Sequence, residues 1–300
     1  MRVLILQPRS VIMEKLLKID LKRILHSRRF CILILVEIAV VVLSYVWNTY
    51  PYGQTLWNVA KQPFAPAPEF HVSWLEAYYP FTWYDKWIGA GMGDSILDHF
   101  YFIAMPLCAA FAMGDYVTKD HTTGYVKQVF LHVGRKQYYA EKGVCSFLVG
   151  GITILIPLIV NIFLNAAQFS SLVPMVEQGF GVVVHGHVFS RLYYSHPFIY
   201  ILIYLFNSFM YGGAFSVLAC AVGIFVSNAF IPLLFPFLVY LFQNSLMTAL
   251  QHPEFAFDAL ITMNRANISS YLFCLLGALC VLVLGILGLV YAGRNDETIG

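Results

Sequence analysis

The sequence predicts an all-α integral membrane protein with about six transmembrane helices, and three observations predict it. Apolar residues fill 59% of the 300 positions, while Asp, Glu, Lys and Arg together fill only 11%. A soluble domain carries about 25% charged residues, so a water-soluble fold could not hide this much apolar surface. The apolar residues are gathered into six runs of a length that crosses a bilayer, roughly 17 to 25 residues each. Lysine and arginine, finally, are distributed unequally between alternate connections, as the positive-inside rule requires of a polytopic chain.

The N-terminal segment, residues 1–29, is read as cytoplasmic. Within it Ile12 to His26 is amphipathic, with Lys15, Lys18, Lys22 and His26 on one face and Met13, Leu16, Leu17, Leu21 and Ile24 on the other. Such a helix lies in the membrane interface. Asp20 falls inside the apolar arc, where lipid would not favour it, so either a protein partner covers that part of the face or the segment is a simple basic anchor. Met13 reads as a natural start, with Met1 to Ile12 as an upstream extension. The first apolar run follows a long basic stretch and has no small-residue cleavage site, which marks a retained helix and not a signal peptide.

The transmembrane domain, residues 30–292, contains spans at about 30–46, 96–113, 144–164, 198–226, 230–250 and 271–292. The fourth and fifth are separated only by Ser227, Asn228 and Ala229, and Pro232 suits the first turn of the fifth, so the two form a tight helical hairpin. With the N-terminus inside, 14 of the 18 Lys and Arg residues fall on the cytoplasmic side, leaving Lys61, Lys86, Arg191 and Arg265 outside. Both termini, including the tail 293–300, are therefore expected in the cytoplasm. The six cysteines all lie in or at the edges of apolar runs and are read as small hydrophobes.

The outside loop 47–95 holds all five tryptophans, Trp47, Trp57, Trp74, Trp83 and Trp87, together with many tyrosines, phenylalanines and prolines. It is too aromatic for a disordered linker. A small irregular cap on the outer leaflet is expected, with contact between Trp74, Trp83 and Trp87 and an amphipathic or lipidic substrate as the alternative role.

The chain lacks the G-x-x-x-x-G-K-[ST] phosphate loop and the H-E-x-x-H zinc motif, so no catalytic residue is assigned and ATP use would belong to a partner. His185, His187 and His196 are too loosely spaced to read as a metal site, and none is assigned. Glu37 is the acidic residue lying well inside a predicted span, where a charge costs about 2.5 to 3.5 kcal/mol on insertion scales and so faces protein or water. It is read as a hydrogen-bonded structural residue, with a proton or cation site as the alternative. Asn161 and Asn165 in the third span, and Gln243 and Asn244 in the fifth, are interhelical hydrogen-bonding groups or pathway-lining ones. Ser208, Gly212, Ser216 and Cys220 recur every four residues along the fourth span and mark a close-packing face towards a helix of the same chain or of another subunit.

The connection 114–143 carries Asp120, Thr123 and Gly124, then an amphipathic stretch with Tyr125, Phe130 and Leu131, then Arg135, Tyr138 and Lys142 leading into the third span. In this order the residues resemble the intracellular loop of type-2 ABC exporter permeases: an acidic residue, a glycine, a short helix, an arginine, and a lysine at the mouth of the third helix. The basic amphipathic segment and six-span topology are similar to the same family. The resemblance implies a permease subunit in the plasma membrane of a bacterium, dimerising with a like or unlike permease chain and exporting an amphipathic peptide, drug or lipid. It implies a separate ATP-binding subunit that supplies ATP and Mg, coupled to the permease through a loop made of Asp120, Gly124, Tyr125, Phe130, Leu131, Arg135 and Lys142, in which Phe130, Leu131 and Asp120 dock the partner while Arg135 and Lys142, nearer the membrane, couple hydrolysis to transport; no cofactor is expected in this chain, and no nucleic acid partner. The connection 251–270 matches the family's extracytoplasmic re-entrant region in position, but its polar residues give no sign of a membrane-dipping hairpin. The rival readings are a secondary transporter or channel using Glu37, and a non-transporting assembly or sensing subunit.

Overall fold

The computed structural model describes residues 9–61, 82–90, 96–131, 133–174, 187–263 and 270–295. These form helices α1 (Arg9–Leu25), α2 (Arg28–Lys61), α3 (Trp83–Lys86), α4 (Ile96–Thr122), α5 (Tyr125–Phe130), α6 (Arg135–Gln168), α7 (Ser190–Ser195), α8 (Pro197–Phe225), α9 (Phe230–Ala249), α10 (Phe257–Thr262) and α11 (Tyr271–Asn295). Six of them, α2, α4, α6, α8, α9 and α11, are long and apolar enough to cross a membrane. Successive long helices run antiparallel, so α1, α5 and the end of α11 share one end of the bundle, and α3, α7 and α10 the other. The exterior is apolar: Leu35, Phe163, Phe242 and Leu287 are each more than half exposed. An apolar exterior of this extent suits a bilayer and would be a liability in water.

The core is built around α8, the most enclosed of the long helices, which packs against α4, α6, α9 and α11. Its small residues are the reason. A Cβ added at Gly150 of α6 would sit 2.3 Å from Ser216 Cβ and 2.6 Å from the Gly212 carbonyl oxygen, so the two backbones meet where both lack side chains. Ser146 and Ser216 share a hydrogen bond at 2.9 Å across the same seam. The Tyr211 hydroxyl donates to the Cys274 carbonyl on α11 at 2.9 Å, and Thr118 of α4 donates to the Gly223 carbonyl at 3.0 Å. The strip Ser208, Gly212, Ser216 and Cys220 thus packs within this chain.

Several helix limits differ from the hydropathy reading. α2 continues to Lys61, so the start of the 47–95 connection is helical and not irregular; α4 runs on from residue 113 to Thr122, and α6 begins at Arg135, nine residues before the predicted span. Helical hydrogen bonds are satisfied inside the segment and need not stop where hydrophobicity stops. The non-helical part of the 114–143 connection thereby shrinks to the short stretches on either side of α5. α10 is a second departure. Leu260, Ile261, Thr262 and Met263 are buried, and Leu260 reaches Gly277, six residues into α11, which at 1.5 Å per residue is about 9 Å below the helix start. Despite its polar flanks, the 251–270 connection therefore folds part of itself back into the bundle.

Candidate functional site

Where α1, α4, α5 and α6 meet, four charged side chains form one buried knot. Lys142 of α6 is inaccessible to solvent, and its Nζ donates to Asp20 Oδ2 at 2.6 Å and to Asp120 Oδ2 at 3.0 Å. Arg23 of α1 grips Asp120 with both guanidinium nitrogens, at 3.2 and 3.1 Å, and lies 3.5 Å from Asp20 Oδ1. Asp20 and Asp120 thus meet Lys142 and Arg23, the arginine in the forked geometry that makes arginine–carboxylate pairs specific. Burial alone would weaken the Arg23 charge, but its hydrogen bonds to Asp120 and the nearby charge of Asp20 more than offset this, and its proton is held more tightly than in water. Glu141, also buried, lies against the same group.

Aromatic rings extend the knot to α5. The Arg23 guanidinium sits 5.5 Å from the Tyr116 ring and 5.6 Å from the Tyr125 ring, and Lys142 Nζ is 5.1 Å from the Tyr138 ring. Such contacts between cations and ring faces are worth about 0.5 to 2 kcal/mol each. Phe130, at the end of α5, packs edge-on against Tyr138 at 5.4 Å and lies under Arg135 at 5.9 Å. Val126 and Val129 point inward as well. α5 is therefore a short lever fixed on its inner side to α1, α4 and α6.

The lever starts at Gly124, whose φ of 73° lies in the left-handed region. A side chain there would strain the backbone by roughly 1 to 2 kcal/mol, so glycine makes the reversal from α4 into α5 at low cost. On the outer side Lys127, Gln128 and Leu131 are exposed, Leu131 at 80%.

This placement divides the residues singled out in the 114–143 connection. Leu131 is exposed at the surface. Asp120 and Lys142 are internal, and their work is to join helices. Phe130 is half-buried, and Tyr125 serves Arg23. Asp20, whose place in the apolar arc of α1 called for a partner, finds it in the same chain. Sequence reasoning missed Arg23, which gave no signal beyond its basic charge, and Glu141.

The other polar residues brace the opposite end. Asn161 donates to the Val41 carbonyl at 3.0 Å and accepts from the Ile88 backbone at 2.8 Å, while Asn165 donates back to the Asn161 carbonyl. Gln243 donates to the Phe255 carbonyl and accepts from the Phe257 N–H, both at 2.6 Å, and Asn244 accepts from the Asp258 N–H. Asn207 supports the far end of the same half-helix through the Leu260 carbonyl. Gln243 and Asn244 thus hold the start of α10. Trp83 and Trp87 are buried; Trp87 meets Tyr204 edge-on at 4.9 Å, and Trp83 Nε1 donates to Ser171. Their surroundings are those of packing residues. Trp74 and His185 lie outside the described residues. Glu37, 3% exposed, touches the Cys108 thiol and has no stronger hydrogen-bond partner among the described residues.

Comparison with protein-family models, curated proteins and solved structures finds no match to this chain.

Proposed function

We propose that this protein is the membrane permease subunit of an ATP-driven exporter of the type-2 ABC kind, working with a separate ATP-binding subunit. One observation carries the reading: a short surface helix, α5, is held by ring contacts of Tyr125 and Phe130 with Arg23, Tyr138 and Arg135, beside a charge knot that joins α1 to the ends of two long helices, α4 and α6, and its outer side ends at an exposed leucine. A partner that moves this helix moves the long helices with it. Dispersed or flexible anchoring would lose that motion; the contacts of Tyr125 with Arg23 and of Phe130 with Tyr138 pass it to the charge knot, which joins α1, α4 and α6 at a cost of separation of several kcal/mol.

The α1 and α5 end is then cytoplasmic, with both termini, and α1 lies at the membrane interface beside the bundle. The half-helix α10 occupies the place of the extracytoplasmic re-entrant element that the family resemblance implies. Pairing with a second permease chain, an amphipathic substrate and residence in a bacterial plasma membrane belong to the same proposal. ATP and Mg would be held by the partner subunit.

Leu131→Glu tests the docking. The variant should insert and fold normally, since the side chain touches little, yet lose most of its co-purification with the ATP-binding subunit and most ATP-driven efflux. Phe130→Ala is a weaker test, because its ring is partly internal and its loss also loosens α5. Undiminished partner recovery and efflux in Leu131→Glu would remove the support for this reading. The buried Glu37 favours a second reading, an ion-coupled transporter. Under that reading Glu37→Gln abolishes gradient-driven flux, whereas under the ATP-driven reading efflux survives the change.

A further inference from the structure

At the α5 end of the bundle, α6 and α11 leave between them a cleft of about 550 Å³, floored by Val217 of α8. That volume lies within the usual range for small-ligand sites, roughly 300 to 1,000 Å³. Its walls are apolar over most of their length, among them Val144, Phe147, Leu148, Leu282 and Ile286; its mouth is not. There Lys136, in the first turn of α6, and Arg294, in the last turn of α11, both line the opening.

The two cations are brought together by a glycine. A Cβ at Gly293 would lie 3.3 Å from the Tyr139 ring and 3.9 Å from Lys136 Cα, so the two helix ends approach closely just where each carries a positive charge. Both side chains are exposed, and no carboxylate pairs with either among the described residues. Two cations carried on adjoining turns both attract an anion that lies between them. The apolar wall on α6 runs from Lys136 to Leu148, twelve residues at 1.5 Å each or about 18 Å. Half of a hydrocarbon core of about 30 Å is close to that length. The cleft therefore has the dimensions of one leaflet and a charged mouth at the level of its headgroups.

A second cleft, between α2, α4 and α9, has a similar apolar wall and also two cations, Arg29 and Lys119. Those two have other interactions within the chain, so they do not call for an outside anion.

We infer that the α6/α11 cleft binds an anionic phospholipid, its phosphate between Lys136 and Arg294 and an acyl chain along Val144, Phe147, Leu282 and Ile286. The site requires only that the bundle lies in a bilayer, and it stands apart from any ATP-binding partner. Basic residues near a membrane surface attract anionic lipid by about 1 kcal/mol each. Two of them correspond to a preference of about 30-fold at low salt, shrinking as salt screens the charges.

The purified full-length protein, delipidated in a neutral detergent and titrated with phosphatidylglycerol or phosphatidylcholine, tests this by native mass spectrometry. The first phosphatidylglycerol should bind at least tenfold more tightly than the first phosphatidylcholine. Lys136→Glu with Arg294→Glu should bring the ratio to about one. Ala140→Trp, at an exposed position on the cleft wall, should reduce binding of both lipids while leaving thermal stability unchanged. Equal affinities in the parent protein, or a preference that survives the double charge reversal, would overturn the inference. So would displacement of phosphatidylglycerol by millimolar inorganic phosphate, which would mark a site for the free anion, or a lipid-independent dimer abolished by Ala140→Trp, which would give the cleft to a second copy of the chain.

Discussion

Replacing Lys142 with methionine keeps the length of the side chain and removes the ammonium shared by Asp20 and Asp120. Both carboxylates are buried, so neither can turn to water for compensation. Removing one partner of a buried ion pair costs about 3 to 5 kcal/mol, chiefly because a charge is left unpaired. Arg23 remains, 3.1 Å from Asp120 and 3.5 Å from Asp20, and its side chain is 34% exposed, so water reaches it. That moderates the loss towards the lower figure, about 3 kcal/mol. At roughly 2 to 4 °C per kcal/mol for large domains, the midpoint of thermal inactivation should fall by about 6 to 12 °C. Heating the detergent-solubilised protein and measuring the monodisperse fraction by size-exclusion chromatography reads this directly. Asp20→Asn combined with Lys142→Met leaves the Arg23–Asp120 fork neutral as a pair and should recover more than half of the loss. A single variant within 2 °C of the parent, or a double variant no better than the single, would refute the reasoning.

Two further outcomes follow from the opposite end. Gln243→Leu removes two of the three side-chain hydrogen bonds that hold the start of α10, at about 1 kcal/mol each plus the cost of leaving the Phe257 N–H unpaired, so a cysteine placed at Met263 should change from protected to readily labelled by a thiol reagent. Lys86 is pushed down to about 7 by burial, with Asp85 opposing the shift. Its folded value thus lies below the unfolded one, and over the interval from about 7 to 10.5 the unfolded chain binds more protons, so stability rises with pH there. Lys86→Met should therefore stabilise the protein more at pH 6 than at pH 10, and thermal midpoints at the two values measure the difference.

Hydropathy made the six long helices visible because crossing a bilayer imposes a length and a composition together. It could not place their ends. Residues 114–122 and 135–143 are polar or mixed yet helical, and the ion-pair knot satisfies the buried charges Asp120 and Lys142 that they carry. Asp20 was visible as an anomaly in the apolar face of α1, but its partner Lys142 is 122 residues away, and no local pattern joins them. Gln243 and Asn244 stood out as polar residues in an apolar run without revealing what they hold. α10 was hidden for a related reason: His252 and Glu254 make the connection look wet, while the buried Phe257–Thr262 turn is too short to register as an apolar helix. In the 114–143 connection, the order of residue types resembled a coupling loop; only the structure separates Leu131, which is exposed, from Asp120 and Lys142, which are buried.

The central claim is that α5 is the surface an ATP-binding subunit pushes. A photo-crosslinking amino acid at Leu131, activated in intact cells, tests it most directly, with the same group at the outward-facing Phe242 as the comparison. The account predicts a covalent adduct at Leu131 with a protein that mass spectrometry shows to contain a G-x-x-x-x-G-K-[ST] nucleotide-binding loop, and no such adduct at Phe242. Efficient activation with no ATPase adduct at Leu131, or the same adduct at both positions, would contradict it.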